Sequence, residues 1–201
     1  LSENALKRKG VTLQQIQSIF DGYLEKDYIK EIPQEQWHDG WYLPFFCVVN
    51  LAKKSTPIRP VFDAKATYNK ISLNNQILDT PNLLNDTWPT LLHLRQFKYA
   101  MTGDISEMFL RVRLNEEDQK YHRFYFNGKV YQWTRILFGN TSSPNISQKV
   151  IRAVCDKYEK EYPIAAKFMR AWCYMDDAIA SAATEEELMI LADQLPKLLM
   201  H

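Results

Sequence analysis

Residues 171–180 read Ala-Trp-Cys-Tyr-Met-Asp-Asp-Ala-Ile-Ala, two adjacent carboxylates at a tight turn between two apolar runs. Asp is a common turn residue, and a solvated turn is the ordinary reading of such a pair. The flanks argue otherwise. Both runs are nearly all apolar, as in strands buried on both faces. Acids packed against such a sheet repel one another unless a cation neutralises them. Hard oxygen ligands of this kind suit Mg²⁺ or Mn²⁺. Asp104 offers a third carboxylate at the end of another apolar run, Tyr99-Ala100-Met101-Thr102-Gly103. If the two strands are sheet neighbours, all three acids meet at one point. Three carboxylates are enough to hold two divalent ions about 3.5–4 Å apart, the arrangement of in-line phosphoryl displacement.

The elements around these acids mix helices with hairpins. Thr12 and Gln15 form a capping-box pattern ahead of Ile16, Ile19, Phe20, Tyr23 and Leu24, which predicts a helix over 12–28. Strands are expected over 41–49, with Pro44 making it an edge or bulged one, and over 58–62. Residues 64–82 read as irregular, 83–96 as a helix with its start blurred by Pro89, and 98–104 as a strand. One or two helical turns follow over 115–121, with Asn115 as cap. The runs 122–126 and 129–134 flank Asn127-Gly128, a strong signal for a type I′ hairpin. Pro144 suits the first turn of a helix reaching about 158, capped by Ser142 or Ser143. Strands over 169–175 and 178–182 bracket the Asp-Asp turn, and Thr184 with Glu187 opens a last helix. Such a mixture is α+β rather than a regular βαβ alternation.

Composition narrows the class. With 201 residues, 46% hydrophobic and 24% charged, the chain can bury a core without staples. No apolar run approaches the roughly 20 residues of a membrane span, and no signal segment opens the sequence, so no membrane partner is expected. Cys47, Cys155 and Cys173 are an odd count without paired spacing. That suits a reducing, cytoplasmic setting and argues against a disulfide framework. The four histidines are scattered. Net charge is only +1, yet residues 50–70 carry Lys53, Lys54, Arg59, Lys65 and Lys70 against Asp63, a local +4. Such a patch could hold phosphates or be a solvated loop.

Four segments, in order, carry a resemblance. Tyr174-Met175-Asp176-Asp177 resembles the YxDD box of reverse transcriptases. Asp104-Ile105-Ser106-Glu107-Met108-Phe109 resembles the first catalytic-acid box, an acid followed five residues on by an aromatic. Phe138-Gly139-Asn140-Thr141-Ser142-Ser143-Pro144 resembles the FG-x-x-x-SP box before the long palm helix. Ile58-Arg59-Pro60-Val61-Phe62-Asp63-Ala64 resembles the fingers strand with the triphosphate-binding arginine, and Ser72-Leu73-Asn74 follows it. The texture is most similar to the BEL/Pao class of LTR retrotransposons. Two positions depart from the pattern: Phe45-Phe46 stands where His-His is expected, and Asn140 where Leu is common.

The resemblance implies an α+β, right-hand polymerase fold of fingers and palm, the palm an antiparallel sheet backed by helices, with the thumb absent from these residues. It divides the chain into 1–76 (N-terminal helix and fingers), 77–111 (palm), 112–143 (fingers) and 144–201 (palm). It implies an RNA-directed DNA polymerase from a Pol polyprotein, whose partners are an RNA or DNA template with primer, a dNTP, and the thumb and ribonuclease H segments. A virus-like particle or the nucleus would be further settings. Asp104, Asp176 and Asp177 become the catalytic ligands of two Mg²⁺ or Mn²⁺ ions, with the Ile105 carbonyl as an added ligand. Arg59, with Lys53 or Lys54, would hold the triphosphate. Phe109 would lie under the sugar, and Phe138 beside the nucleotide. Gly139, Ser143 and Tyr174 would face template and primer. The competing expectation is a domesticated, non-catalytic module that binds nucleic acid or protein. Metal binding separates the two.

Overall fold

The computed structural model describes residues 10–50, 52, 56–78 and 81–200. In chain order its first elements are α1 (Leu13–Glu25), β1 (Ile29–Ile32), β2 (Phe45–Val49), β3 (Ile58–Phe62), α2 (Leu73–Gln76), α3 (Thr87–Leu94), β4 (Tyr99–Asp104) and α4 (Glu116–Gln119). Then come β5 (Arg123–Phe126), β6 (Lys129–Trp133), α5 (Ser143–Tyr158), α6 (Pro163–Trp172), β7 (Cys173–Tyr174), β8 (Asp177–Ala182) and α7 (Glu185–Leu199). They form two compact units: Leu1–Leu78 with Phe109–Ser143, and Asp79–Met108 with Pro144–His201.

The first unit is built on aromatic packing. Thr12 caps α1 with both halves of the capping box in place. The helix stops at Glu25, short of the expected residue 28, because Asp27 turns left-handed (φ 54°). β1, β6 and β5 form one antiparallel sheet in that order, and β2 pairs antiparallel with β3. Asn127 and Gly128 both have positive φ (48° and 79°), the type I′ turn that the Asn-Gly pair predicts. β1 was not expected: its buried residues are only the two ends, Ile29 and Ile32, so it lacks alternation. β2 begins after Pro44 rather than at residue 41. Phe20 is fully buried at the centre, with ring centroids 4.9 Å from Phe124, 5.1 Å from Phe126 and 5.5 Å from Phe45. Truncating such a side chain costs about 3–5 kcal/mol.

The second unit is built on small residues. Its antiparallel sheet has the order β4-β8-β7. Helices α3, α6 and α7 pack against β8, and the fully buried Ala165, Ala166 and Ala180 let them approach closely. Two expectations are corrected here. Residues 169–172 are not strand: they close α6, which starts with Pro163 and buries Ala165, Ala166, Phe168 and Met169 at helical spacing. Only Cys173 and Tyr174 remain as β7. The helix expected from residue 83 begins at Thr87, because the backbone before it is already engaged. Leu83 N–H donates to Asn145 Oδ1 (3.1 Å) and its C=O accepts from Arg152 (3.0 Å). The Asn85 side chain adds a tie, its Nδ2 donating to the Cys173 C=O (2.8 Å). Pro89 then falls in the first turn of α3, where a missing N–H leaves no gap. Asn115 and Thr184 occupy N-cap positions, but only Thr184 makes a side-chain cap bond. Among the described residues, no helix is long and apolar enough to cross a membrane.

Candidate active site

Strand register brings the three acids together. Asp104 ends β4 directly opposite Asp177 at the start of β8. Tyr174 pairs with Asp177 across the β7–β8 hairpin, leaving Met175 and Asp176 as a two-residue turn. One carboxylate oxygen from each Asp lies within 4.8 Å of the others. The turn is held against local preference. Met175 has φ 52°, the left-handed region that costs a residue with a Cβ about 1–2 kcal/mol. Three hydrogen bonds hold it there. Ile105 N–H donates to the Asp176 C=O (2.7 Å), while Gln148 Nε2 and Cys173 Sγ donate to the Met175 C=O (3.2 and 3.3 Å).

The electrostatics follow from this crowding. Partial desolvation, then the Asp176 and Asp104 charges, push the carboxyl of the exposed Asp177 above its ordinary value. A bound divalent cation would reverse that push, so the all-oxygen donor set fits Mg²⁺ or Mn²⁺. Burial raises the Cys173 thiol to about 12, which keeps it protonated as the donor to Met175. The Ile105 carbonyl accepts from Met108 N–H (3.2 Å). Tyr174 is half-buried beside the acids in the sequence.

The remaining candidates belong to the first unit. Arg59 is exposed on β3, paired with Val48. Lys53 and Lys54 lie outside the described residues. Phe109 is buried, and its ring meets Phe138 edge-on at 4.5 Å; Phe138 itself is 56% exposed. Gly139 has φ 105°, and a Cβ there would sit 2.7 Å from the Phe62 C=O, so no other residue fits without displacing backbone. Ser143 is buried, its hydroxyl donating to the Leu137 C=O (2.6 Å).

Residues 51–200 match the family described as reverse transcriptase (RNA-dependent DNA polymerase). The chain belongs to that family. The fold agrees with it. A foamy viral protease-reverse transcriptase in complex with double-stranded DNA superposes with a TM-score of 0.70 at 21% identity, covering 92% of this chain and 28% of that one. A second, in complex with an RNA/DNA hybrid, gives 0.69 at 19%, covering 93% and 22%. The native prototype foamy virus protein gives 0.66 at 21%, covering 92% and 22%. The chain therefore spans between a fifth and a third of the solved relatives it matches. A search of curated proteins found no match.

Three sets of contacts in this reverse transcriptase domain lie beyond the sequence expectations. Asn145, Gln148 and Arg152 form a polar stripe on α5: Asn145 and Arg152 bond the backbone of Leu83 ahead of α3, and Gln148 bonds the Met175 C=O of the turn. Their i, i+3, i+7 spacing was a usable signal. Asn140, the departure from the common Leu, is buried and donates to His122 Nε2 (2.8 Å), while His122 Nδ1 faces the Asp118 C=O (3.0 Å). The Asp118 carbonyl assigns the proton to Nδ1 and leaves Nε2 as acceptor. Burial lowers the His122 pKa, which favours that neutral form. Asn74, the third, bonds across 65 residues to the 138–141 turn, and no local pattern announces such a pairing.

Proposed function

We propose that this chain is the fingers-and-palm part of an RNA-directed DNA polymerase from an LTR retrotransposon of the BEL/Pao class. It transfers nucleotides to a primer on an RNA or DNA template. The convergence of one oxygen each from Asp104, Asp176 and Asp177 within 4.8 Å carries the reading. In it residues 1–76 and 112–143 are fingers, and 77–111 with 144–201 is palm. The thumb and ribonuclease H segments are partners from the same polyprotein, in a cytoplasmic particle.

The three carboxylates would hold two Mg²⁺ ions, with Mn²⁺ as a substitute and the Ile105 carbonyl as an added ligand. When bound, the ions lower the pKa of the primer 3′-hydroxyl and neutralise the leaving pyrophosphate. The protein's own work is positioning and charge. Arg59 grips the triphosphate through its planar fork, with Lys53 or Lys54 as a point charge. Phe109, stiffened by the Phe138 edge, leaves no room for a ribose 2′-hydroxyl and offers it no hydrogen bond, so the dNTP is preferred. Gly139, Ser143 and Tyr174 face template and primer. Sequence is read by base pairing, so protein contacts go to backbone, sugar and groove shape.

The test is primer extension on poly-rA/oligo-dT with Mg²⁺ or Mn²⁺, beside calorimetric titration of each metal. Metal-dependent extension supports the reading. Neither metal binding nor extension returns the chain to a non-catalytic interaction module.

A further inference from the structure

We propose that Asn74 is a positioning residue for nucleotide binding, its side-chain amide fixing the backbone of the 138–141 turn. The nucleotide part rests on the polymerase reading above. Asn74 lies in α2, whose start is capped by the buried Ser72 hydroxyl. Its own N–H donates to the Ala64 C=O (3.0 Å), so its backbone is tied to the segment leaving β3. From that base, Nδ2 donates to the Gly139 C=O (2.9 Å) and Oδ1 accepts from Thr141 N–H (3.1 Å). One primary amide thus meets the acceptor and donor of alternate residues, as a paired strand would.

The turn has reason to need this. Gly139 is left-handed and pressed against the Phe62 C=O, so its place is narrowly defined. Asn140 is anchored inward to His122. Phe138 precedes both, largely exposed yet seated on Phe109. A shift of the turn would unseat that ring. Both Asn74 bonds are exposed, so removing them leaves water as a substitute partner and costs global stability little. What is lost is local order, and that separates positioning from simple support.

The experiment compares wild type with Asn74→Ala and Asn74→Asp. Hydrogen exchange is read at the Thr141 amide, and KM and kcat for dTTP in primer extension. In Asn74→Ala, Thr141 exchange should rise about tenfold, with the β5–β6 hairpin unchanged. KM for dTTP should rise about tenfold, with kcat within about twofold. Asn74→Asp keeps an acceptor for Thr141 and loses the donor for Gly139, so its exchange should lie between. Unchanged Thr141 exchange in Asn74→Ala overturns the clamp. Faster exchange with unchanged KM, or a fall in kcat and Tm alone, overturns the positioning role. A wild-type chain that extends no primer sinks the polymerase reading and the nucleotide part with it, while exchange still decides the clamp.

Discussion

Two hairpins with two-residue turns sit in the two units, and they are built on opposite terms. The β5–β6 turn, Asn127-Gly128, uses the residues that its left-handed backbone prefers, and its strands carry Phe124, Phe126, Tyr131 and Trp133 into an aromatic core. The β7–β8 turn, Met175-Asp176, puts a left-handed backbone on a residue with a long side chain. It also stands two acids beside a third and has a strand of only two residues on one side. Cys173, Gln148 and Ile105 hold what local preference would not. Strain and like charge persist in one hairpin and are absent from its counterpart, as the catalytic role proposed for the first would require.

Charge is the sharpest way to break that contrast. Asp176→Asn keeps the shape and removes a charge that the proposed metals would need. Primer extension should fall by at least about 10³-fold. Stability should stay level or rise slightly, since two neighbouring carboxylates lose a repulsive partner. Gly128→Ala in the other hairpin should leave extension of the folded fraction unchanged. Extension at the wild-type rate by Asp176→Asn would remove the acids from the mechanism and the functional contrast with them.

Backbone strain gives a smaller and two-sided effect. At Gly128 a methyl meets nothing within 4 Å, so Gly128→Ala feels only the positive φ of 79° and should lose about 1 kcal/mol. Met175→Gly removes a left-handed Cβ and should gain up to about 1 kcal/mol, less the entropy of a freer unfolded chain. Urea unfolding of both variants checks the pair. Equal signs would mean that the two turns are strained alike.

The same contrast explains what was legible. The Asn-Gly turn and the Thr12 capping box obey local rules, so spacing alone placed them, whereas the boxes around Asp104 and Asp176 were legible through the family resemblance. β1 escaped because its two middle residues face out and break the alternation. Residues 169–172, which close α6, read as strand because Met169, Ala171 and Trp172 run on into the apolar Cys173-Tyr174. Only the buried Ala165-Ala166 pair upstream, at helical spacing from them, marks the period. The clamps by Asn74, Gln148 and Asn85 join residues 27 to 88 positions apart, and sequence periodicity does not register pairings at that range.

The two hairpins should also answer pH with opposite slopes. Asp177, opening β8, has its carboxyl raised by partial desolvation and then by Asp176 and Asp104. The folded chain therefore holds that proton at pH values where the unfolded chain has released it. Stability falls as pH rises from the ordinary value of 3.8 through the raised one, and stays lower above it. His122, the residue before β5, has its pKa lowered by burial, against a smaller opposing pull from Asp118. The unfolded chain takes up a proton that the folded chain refuses, so stability falls as pH drops from 6.5 through the lowered value. Unfolding free energies across the acid and neutral range, taken as wild type minus variant, isolate each term. The Asp177→Asn difference should slope downward with rising pH near the carboxylate range. Saturating Mg²⁺ should flatten it by favouring the ionised form. The His122→Gln difference should slope upward through the imidazole range and ignore Mg²⁺. One burial penalty drives the histidine effect, and a backbone hydrogen bond to Asp118 offsets part of it. A His122 difference that is flat between pH 5 and 8, about 1.5 units on either side of its ordinary value, would mean that the imidazole is not held neutral. The Asn140 amide would then have some partner other than the Nε2 lone pair.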